Sequence, residues 1–152
     1  MNNLTTRHLF HLSLKAGLPQ PIGAAPTGTR RIVPVEGGTF AGDRLRGIVL
    51  PGGSDWITIR SDDAWHLDVR IVLQTDDDQR IAMTYQGLRH GPPEIMALVN
   101  RGEPVDPSTY YFRSVATFET ASQRYGWMNG IFAVGKGYRP PEGPCYGVFE
   151  VT

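Results

Sequence analysis

The chain has 152 residues, equal numbers of acidic and basic side chains, and a pI near 6.9. Proteins that bind nucleic acid need an excess of basic residues to contact the phosphate backbone, so we expect no nucleic-acid partner. Hydrophobic residues make up 40% and charged residues 20% of the sequence, which excludes a disordered, highly charged chain. The length suits one folded domain over residues 1–152.

Cysteine usage and the N-terminus indicate where the protein works. Cys145 is the one cysteine, so neither an intrachain disulfide nor a CxxC pair can form, which favours a reducing compartment. Residues 1–15 lack the continuous apolar segment of a signal peptide. No apolar run approaches the roughly 20 residues needed to cross a bilayer. We therefore expect a cytoplasmic protein without a membrane partner.

Alternating polar and apolar residues predict strands along most of the chain. The clearest example is Trp65–Thr75, followed by an aspartate-rich turn at 76–78 and a return strand over Arg80–Arg89. Seven more segments are rich in aromatic or β-branched residues. These segments are Arg7–Ala16, Arg30–Val35, Thr39–Leu50, Trp56–Arg60, Thr109–Thr120, Tyr125–Val134 and Tyr146–Val151.

One segment has the signals of a helix. Pro92 and Pro93 precede Glu94 and apolar residues at helical spacing, and the pattern stops at Arg101-Gly102. Many antiparallel strands with one short helix, and no βαβ alternation, predict an all-β fold. We expect an antiparallel closed or nearly closed β-barrel of about eight to ten strands, with a β-sandwich as the alternative.

Two strand faces carry charge that could serve chemistry. Asp68 and Arg70 share one face and could act as a general acid/base and an anion clamp, or form a surface ion pair. On Thr109–Thr120, Tyr111 and Arg113 share a face and could bind a carboxylate or enolate. Alternatively, Arg113 pairs with an acidic residue on a solvated face.

Four further residues are candidates. Asp55 follows a glycine pair, where the backbone can approach a ligand closely, although aspartate there often closes a turn. Tyr85 lies near Arg89 and could transfer a proton, or be a core tyrosine. Trp127 and Asn129 share a predicted strand face and could stack on and orient a planar ligand, although core packing also explains the tryptophan.

Metal and cofactor motifs are missing from the sequence. The four histidines are scattered, with none in a metal-binding spacing. The glycine pairs do not form a phosphate loop or a dinucleotide-binding fingerprint. We therefore expect no metal and no cofactor.

The order of several short motifs resembles the family known as domain of unknown function 3237. The resemblance covers nearly the whole chain and is carried by segments 28–31, 37–42, 45–47, 50–56, 76–78, 87–91, 110–113 and 125–129. It implies a compact antiparallel β-barrel and no cofactor. Positions that match the family pattern and could do chemistry are Asp55, Asp68, Arg89, Tyr111, Arg113 and Asn129.

These observations lead to two functional hypotheses. The first is a cofactor-independent enzyme, a lyase such as a decarboxylase or an isomerase, acting on a small aromatic or conjugated carboxylate inside the barrel. Asp55, Asp68 or Tyr85 would move the proton, and Arg70, Arg89, Tyr111, Arg113, Trp127 and Asn129 would bind the substrate. The alternative is a noncatalytic barrel that binds a small molecule. A homo-oligomer formed through strand edges is a further expectation.

Overall fold

A computed structural model describes residues 2–152 of the chain. Ten strands and one α-helix, α1 (Pro93–Asn100), form the fold. The strands are β1 (Thr6–Ala16), β2 (Gln20–Ala25), β3 (Gly28–Ala41), β4 (Arg46–Val49), β5 (Gly53–Ile59), β6 (Trp65–Thr75), β7 (Arg80–His90), β8 (Tyr111–Glu119), β9 (Ala133–Tyr138) and β10 (Cys145–Val151).

The sheet closes on itself as an antiparallel barrel. The path runs β1-β10-β9-β8-β7-β6-β4-β3, and β3 pairs back with β1. β4 and β5 both pair with β3 and β6, so β5 occupies the same place in the ring as β4, further along these two strands. β2 pairs only with β3 and lies outside this ring. The predicted all-β barrel with one short helix is confirmed, and the single closed sheet excludes the β-sandwich.

Strand alternation decides which side chains fill the barrel. On β6, Leu67, Val69, Ile71 and Leu73 are buried, while Val72 and Arg70 are exposed. The neighbouring β7 buries Ile81, Met83 and Tyr85 in the same way. Phe10 contacts both Phe40 and Phe118 edge to face and joins the opposite wall to this core. The inward faces are mostly apolar, so any polar residue among them stands out.

Three predicted strand boundaries were wrong. β2 is absent from the predicted strands, because Pro21 and Gly23 interrupt its segment. The predicted strand over 39–50 is divided by a turn, with Gly42 N–H donating to the Leu45 carbonyl. Conversely, β3 is continuous through Gly37 and Gly38 and joins the predicted strand Arg30–Val35 to the start of the predicted strand Thr39–Leu50.

The segment Tyr125–Val134 is also different from its prediction as one strand. Residues Gly126–Gly130 form a 3₁₀ helix, and the strand begins only at Ala133. The Met128 side chain is fully buried, and the Met128 N–H donates to the Tyr125 carbonyl, which holds the tight turn. Side-chain burial therefore overrides the local strand preference.

Closure of the barrel should be sensitive to Gly38→Ala. Gly38 has φ +150°, and a Cβ there would lie directly against the Ser13 carbonyl oxygen of the paired strand. Gly52 also has positive φ, +109°, but a Cβ there would meet no atom within 4 Å among the described residues. We expect Gly38→Ala to lower the free energy of unfolding by about 1–3 kcal/mol more than Gly52→Ala. Urea denaturation of both variants checks this, and equal losses would contradict the steric account.

Candidate active site

One mouth of the barrel contains a cavity of about 340 Å³. This volume falls in the range of about 300–1,000 Å³ that is usual for small-molecule sites. The rim consists of the end of β1 at Ala16 with the following Gly17 and Pro19, the C-terminal end of α1, and the proline-rich loop between β9 and β10. The charged and aromatic side chains in its lining are Arg31, Asp55, Trp65, Arg89, Arg101, Phe112 and Arg139.

Asp55 is the acid of this cavity. Alternation along β5 places Asp55 on the same inward face as the buried Ile57, while Trp56 between them is half exposed to solvent. The Asp68 backbone N–H donates to Asp55 Oδ1 at 3.2 Å. Burial raises the pKa of Asp55 from 3.8 to about 7, although this hydrogen bond and the positive charge of Arg89 act to lower it. Both forms of the carboxyl are therefore populated near neutral pH, as a general acid or base requires.

Arg89 is a buried guanidinium at the same mouth, with only 6% of its surface exposed. It lies over the rings of Trp65, at 4.5 Å from the centroid, and Phe112, at 5.5 Å. One Nη2 hydrogen bond reaches Asn100 Oδ1 on α1 at 3.3 Å. Its Nε has no hydrogen-bond partner among residues 2–152. Burial, and then the charge of Arg139, lower the pKa of Arg89 to about 10, so it stays protonated at neutral pH.

Three more arginines line the cavity, and two of them, Arg31 and Arg139, are partly buried. Arg31 extends from β3 on the same face as Val33 and Val35, and its Cζ lies 5.0 Å from the Trp65 ring centroid. Arg139 follows β9, and its guanidinium donates to the Pro140 carbonyl. Burial lowers the pKa of Arg139 as well. The mouth thus combines aromatic surface with a strong positive charge.

A pair of tyrosines lies in the barrel interior near Asp55. Tyr85 and Tyr146 are fully buried, with ring centroids 5.2 Å apart in an edge-to-face arrangement. Burial raises the pKa of each hydroxyl above its usual range, so both remain protonated at neutral pH. Tyr85, predicted to transfer protons, is therefore a neutral hydroxyl, and it does not line the cavity.

Four predicted site residues lie on the outside of the barrel. Asp68 and Arg70 alternate with the buried Leu67, Val69 and Ile71 and therefore point away from the interior. Tyr111 and Arg113 alternate with buried residues of β8 in the same way. Tyr111 stacks on His90 on this outer surface, at 4.9 Å between centroids. The structure therefore does not bring these four side chains to Asp55 and Arg89.

Trp127 and Asn129 lie on the 3₁₀ helix, so they do not form the predicted strand face. The Arg44 guanidinium lies over the Trp127 ring, with its Cζ 4.3 Å from the ring centroid. The Asn129 side chain is occupied by the backbone of Thr120, accepting from its N–H at 2.8 Å and donating to its carbonyl at 3.0 Å. These contacts give Asn129 a structural task in the loop after β8, away from the cavity lining.

Of the predicted residues, the structure brings together Asp55 and Arg89. The sequence interpretation missed Arg31, Trp65, Phe112 and Arg139 as site residues. Trp65 and Phe112 lie on the strand faces opposite to Asp68 and Tyr111. Arg31 alternates with Val33 and Val35, which was an available signal. Arg139 carried no such signal because it lies between Tyr138 and two prolines in a loop.

Two features are absent from residues 2–152. No three His, Cys, Asp or Glu side chains lie close enough together to hold a metal ion. None of the helices in this part of the chain is long and apolar enough to span a membrane.

The fold and cavity define a small antiparallel barrel with an acid and several arginines at one mouth. The chain belongs to the family described as "Protein of unknown function (DUF3237)", whose model matches residues 4–151. A UPF0311 protein of Rhodopseudomonas palustris is 34% identical over 148 residues, which are 97% of either chain. The resemblance noted from the sequence is thereby confirmed.

Solved structures show the same barrel. A β-barrel-like protein from Acinetobacter baumannii is 33% identical, with a TM-score of 0.87, and the match covers 100% of this chain and 98% of that one. A crystal structure of an enzyme from Penicillium herquei has a TM-score of 0.76 at 20% identity, covering 100% of this chain and 97% of that one. At this identity the likeness to the Penicillium herquei protein shows a shared fold.

Proposed function

We propose that the protein is an acid/base enzyme that acts on a small aromatic or conjugated carboxylate at the mouth of the barrel, without a cofactor. The observation that carries the proposal is the pairing of Asp55, whose pKa of about 7 suits proton transfer, with the buried guanidinium of Arg89 in one cavity. The Penicillium herquei enzyme supports it in one respect, since the same fold can house catalysis.

Each group has a task in this mechanism. Ionised Asp55 removes a proton from a carbon next to a carbonyl or a conjugated double bond. The C–H electron pair moves into the conjugated system and forms an enolate, and Arg89, which binds the adjoining carboxylate, stabilises the negative charge of this enolate. Trp65 and Phe112 provide apolar surface for the planar part of the substrate. The protonated Asp55 then returns the proton to a different carbon.

This arrangement favours isomerisation over decarboxylation. A carboxylate held by a guanidinium keeps its charge stabilised, which opposes its loss as neutral CO₂. Stabilisation of an enolate by the same guanidinium, in contrast, lowers the barrier to proton transfer. We therefore propose an isomerase in preference to a decarboxylase, with Asp55 as the single proton carrier.

Hydrogen–deuterium exchange tests the proposal without knowledge of the natural substrate. Phenylpyruvate, an aromatic carboxylate with an acidic benzylic C–H, is incubated with the protein in D₂O and followed by NMR. We expect benzylic exchange above the buffer rate, and a loss of about 10²- to 10⁴-fold in Asp55→Asn. The control is Asp78→Asn, an exposed position in the β6–β7 turn. Exchange at the buffer rate, or equal exchange in Asp55→Asn, would contradict catalysis by Asp55; binding without exchange would favour the noncatalytic binding barrel.

A further inference from the structure

The cavity has an excess of positive charge that one carboxylate does not balance. Arg31, Arg89 and Arg139 all line it, against Asp55 as the acidic side chain of the lining. The fourth arginine, Arg101, forms an ion pair with Glu103 at 2.9 Å. None of the ion pairs formed among residues 2–152 includes Arg31, Arg89 or Arg139.

Arg89 is the strongest sign that an anion belongs here. Its guanidinium is more than nine-tenths buried, yet its hydrogen bond goes to the neutral amide of Asn100. The Nε is buried without a hydrogen-bond partner among the described residues. A buried polar atom without a partner is costly, so it marks a position where a ligand can contribute stabilisation.

Arg31 provides a second cationic position in the same cavity. Arg31 and Arg89 both lie against Trp65, at 5.0 Å and 4.5 Å from its ring centroid. They come from different strands, β3 and β7. Two unpaired guanidiniums beside one aromatic ring are complementary to a planar ligand with an acidic group at two of its positions.

We infer that the ligand is a small aromatic or conjugated dicarboxylate, with one carboxylate bound by Arg89 and the other by Arg31. This inference rests on the proposed function and specifies its substrate class. A phosphate ester is the other common dianion, but its charge is concentrated on one group. Two guanidiniums on separate strands, with aromatic surface against both, fit two separated carboxylates better.

Calorimetric titration with isophthalate and its monomethyl ester tests this inference. The two probes have nearly the same shape, but the ester has lost one negative charge. At about pH 6 both carboxylates of isophthalate are ionised. We expect isophthalate to bind about 10- to 100-fold more tightly than the ester.

Arg31→Met should remove this difference. The variant is expected to bind isophthalate only as tightly as it binds the ester. Its affinity for the ester should stay within about twofold of the affinity of the unaltered protein for the ester. Arg70→Met is the control, because Arg70 is an exposed arginine on the outer face of β6. Circular dichroism confirms that each variant is folded.

The outcomes separate this inference from the proposed function. Equal affinity for isophthalate and its ester would overturn the dicarboxylate assignment and leave the aromatic monocarboxylate site standing. Tighter binding of inorganic phosphate than of isophthalate would also overturn it, in favour of a phosphate ligand. If neither aromatic probe bound, the dicarboxylate assignment and the proposed function would both be overturned. A selective loss of isophthalate binding in Arg31→Met would support the inference.

Discussion

Replacing Asp55 by asparagine is expected to stabilise the protein above neutral pH while removing the proposed proton-transfer activity. The folded protein holds the Asp55 proton up to a pKa of about 7, whereas the ordinary pKa of an aspartate is 3.8. The stabilisation from this protonated carboxyl is therefore complete below about pH 4 and is lost as the pH rises to about 7. Asparagine is neutral throughout, and its side-chain oxygen can accept the same hydrogen bond from the Asp68 N–H.

Urea denaturation from about pH 4 to pH 8 measures this effect. The difference in free energy of unfolding between Asp55→Asn and the unaltered protein should grow in favour of the variant by up to about 4 kcal/mol across that range. The charged groups that act on Asp55 are Arg89, which lowers its pKa, and Asp68, which raises it. Asp78→Asn should show no such growth, since Asp78 is exposed in a turn. A constant difference for Asp55→Asn would mean that Asp55 titrates like an ordinary aspartate.

Replacing Arg89 by methionine is expected to raise the stability of the protein and to weaken its binding of a carboxylate. The buried guanidinium has no ion-pair partner among the described residues to offset its loss of hydration. A methionine side chain would pack against Trp65 and Phe112 without that penalty. We expect Arg89→Met to raise the free energy of unfolding by about 1–3 kcal/mol. Each kcal/mol corresponds to a rise in Tm of about 2–4 °C for a chain of this size.

Binding of benzoate should fall at least about tenfold in the same variant, because its carboxylate loses a charge-assisted hydrogen bond. Differential scanning fluorimetry and calorimetric titration measure the two effects on one preparation. Arg70→Met, on the outer face, should leave benzoate affinity unchanged. If Arg89→Met were less stable and still bound benzoate, Arg89 would be a structural side chain of the barrel wall.

The fold was more predictable than the site because period-2 alternation is a local property. The hairpin of β6 and β7 follows directly from it, since the apolar residues from Leu67 to Leu73 and from Ile81 to Tyr85 share inward faces. β2 was missed because prolines and a glycine interrupt the pattern, although an edge strand tolerates them. The 3₁₀ helix at 126–130 was missed because burial of Met128 depends on distant parts of the chain.

The site was harder to predict because the sequence does not show which face of each strand points into the barrel. Asp68 and Arg70 were attractive as a same-face pair, but the barrel buries the apolar face beside them. Arg89 lies on the otherwise apolar face of β7, where a charge is expensive and therefore informative. Its proximity to Arg139 depends on a loop between strands, which local patterns do not specify.

The measurement that tests the account most directly is the titration of the Asp55 carboxyl carbon by NMR, in protein labelled with ¹³C-aspartate and assigned with the Asp55→Asn variant. The account predicts a midpoint near pH 7 for the Asp55 resonance, as its buried position requires. A midpoint near pH 4 would show that Asp55 is a permanently ionised partner of Arg89, and the proposal of a proton-transfer site at the mouth of this barrel would be wrong.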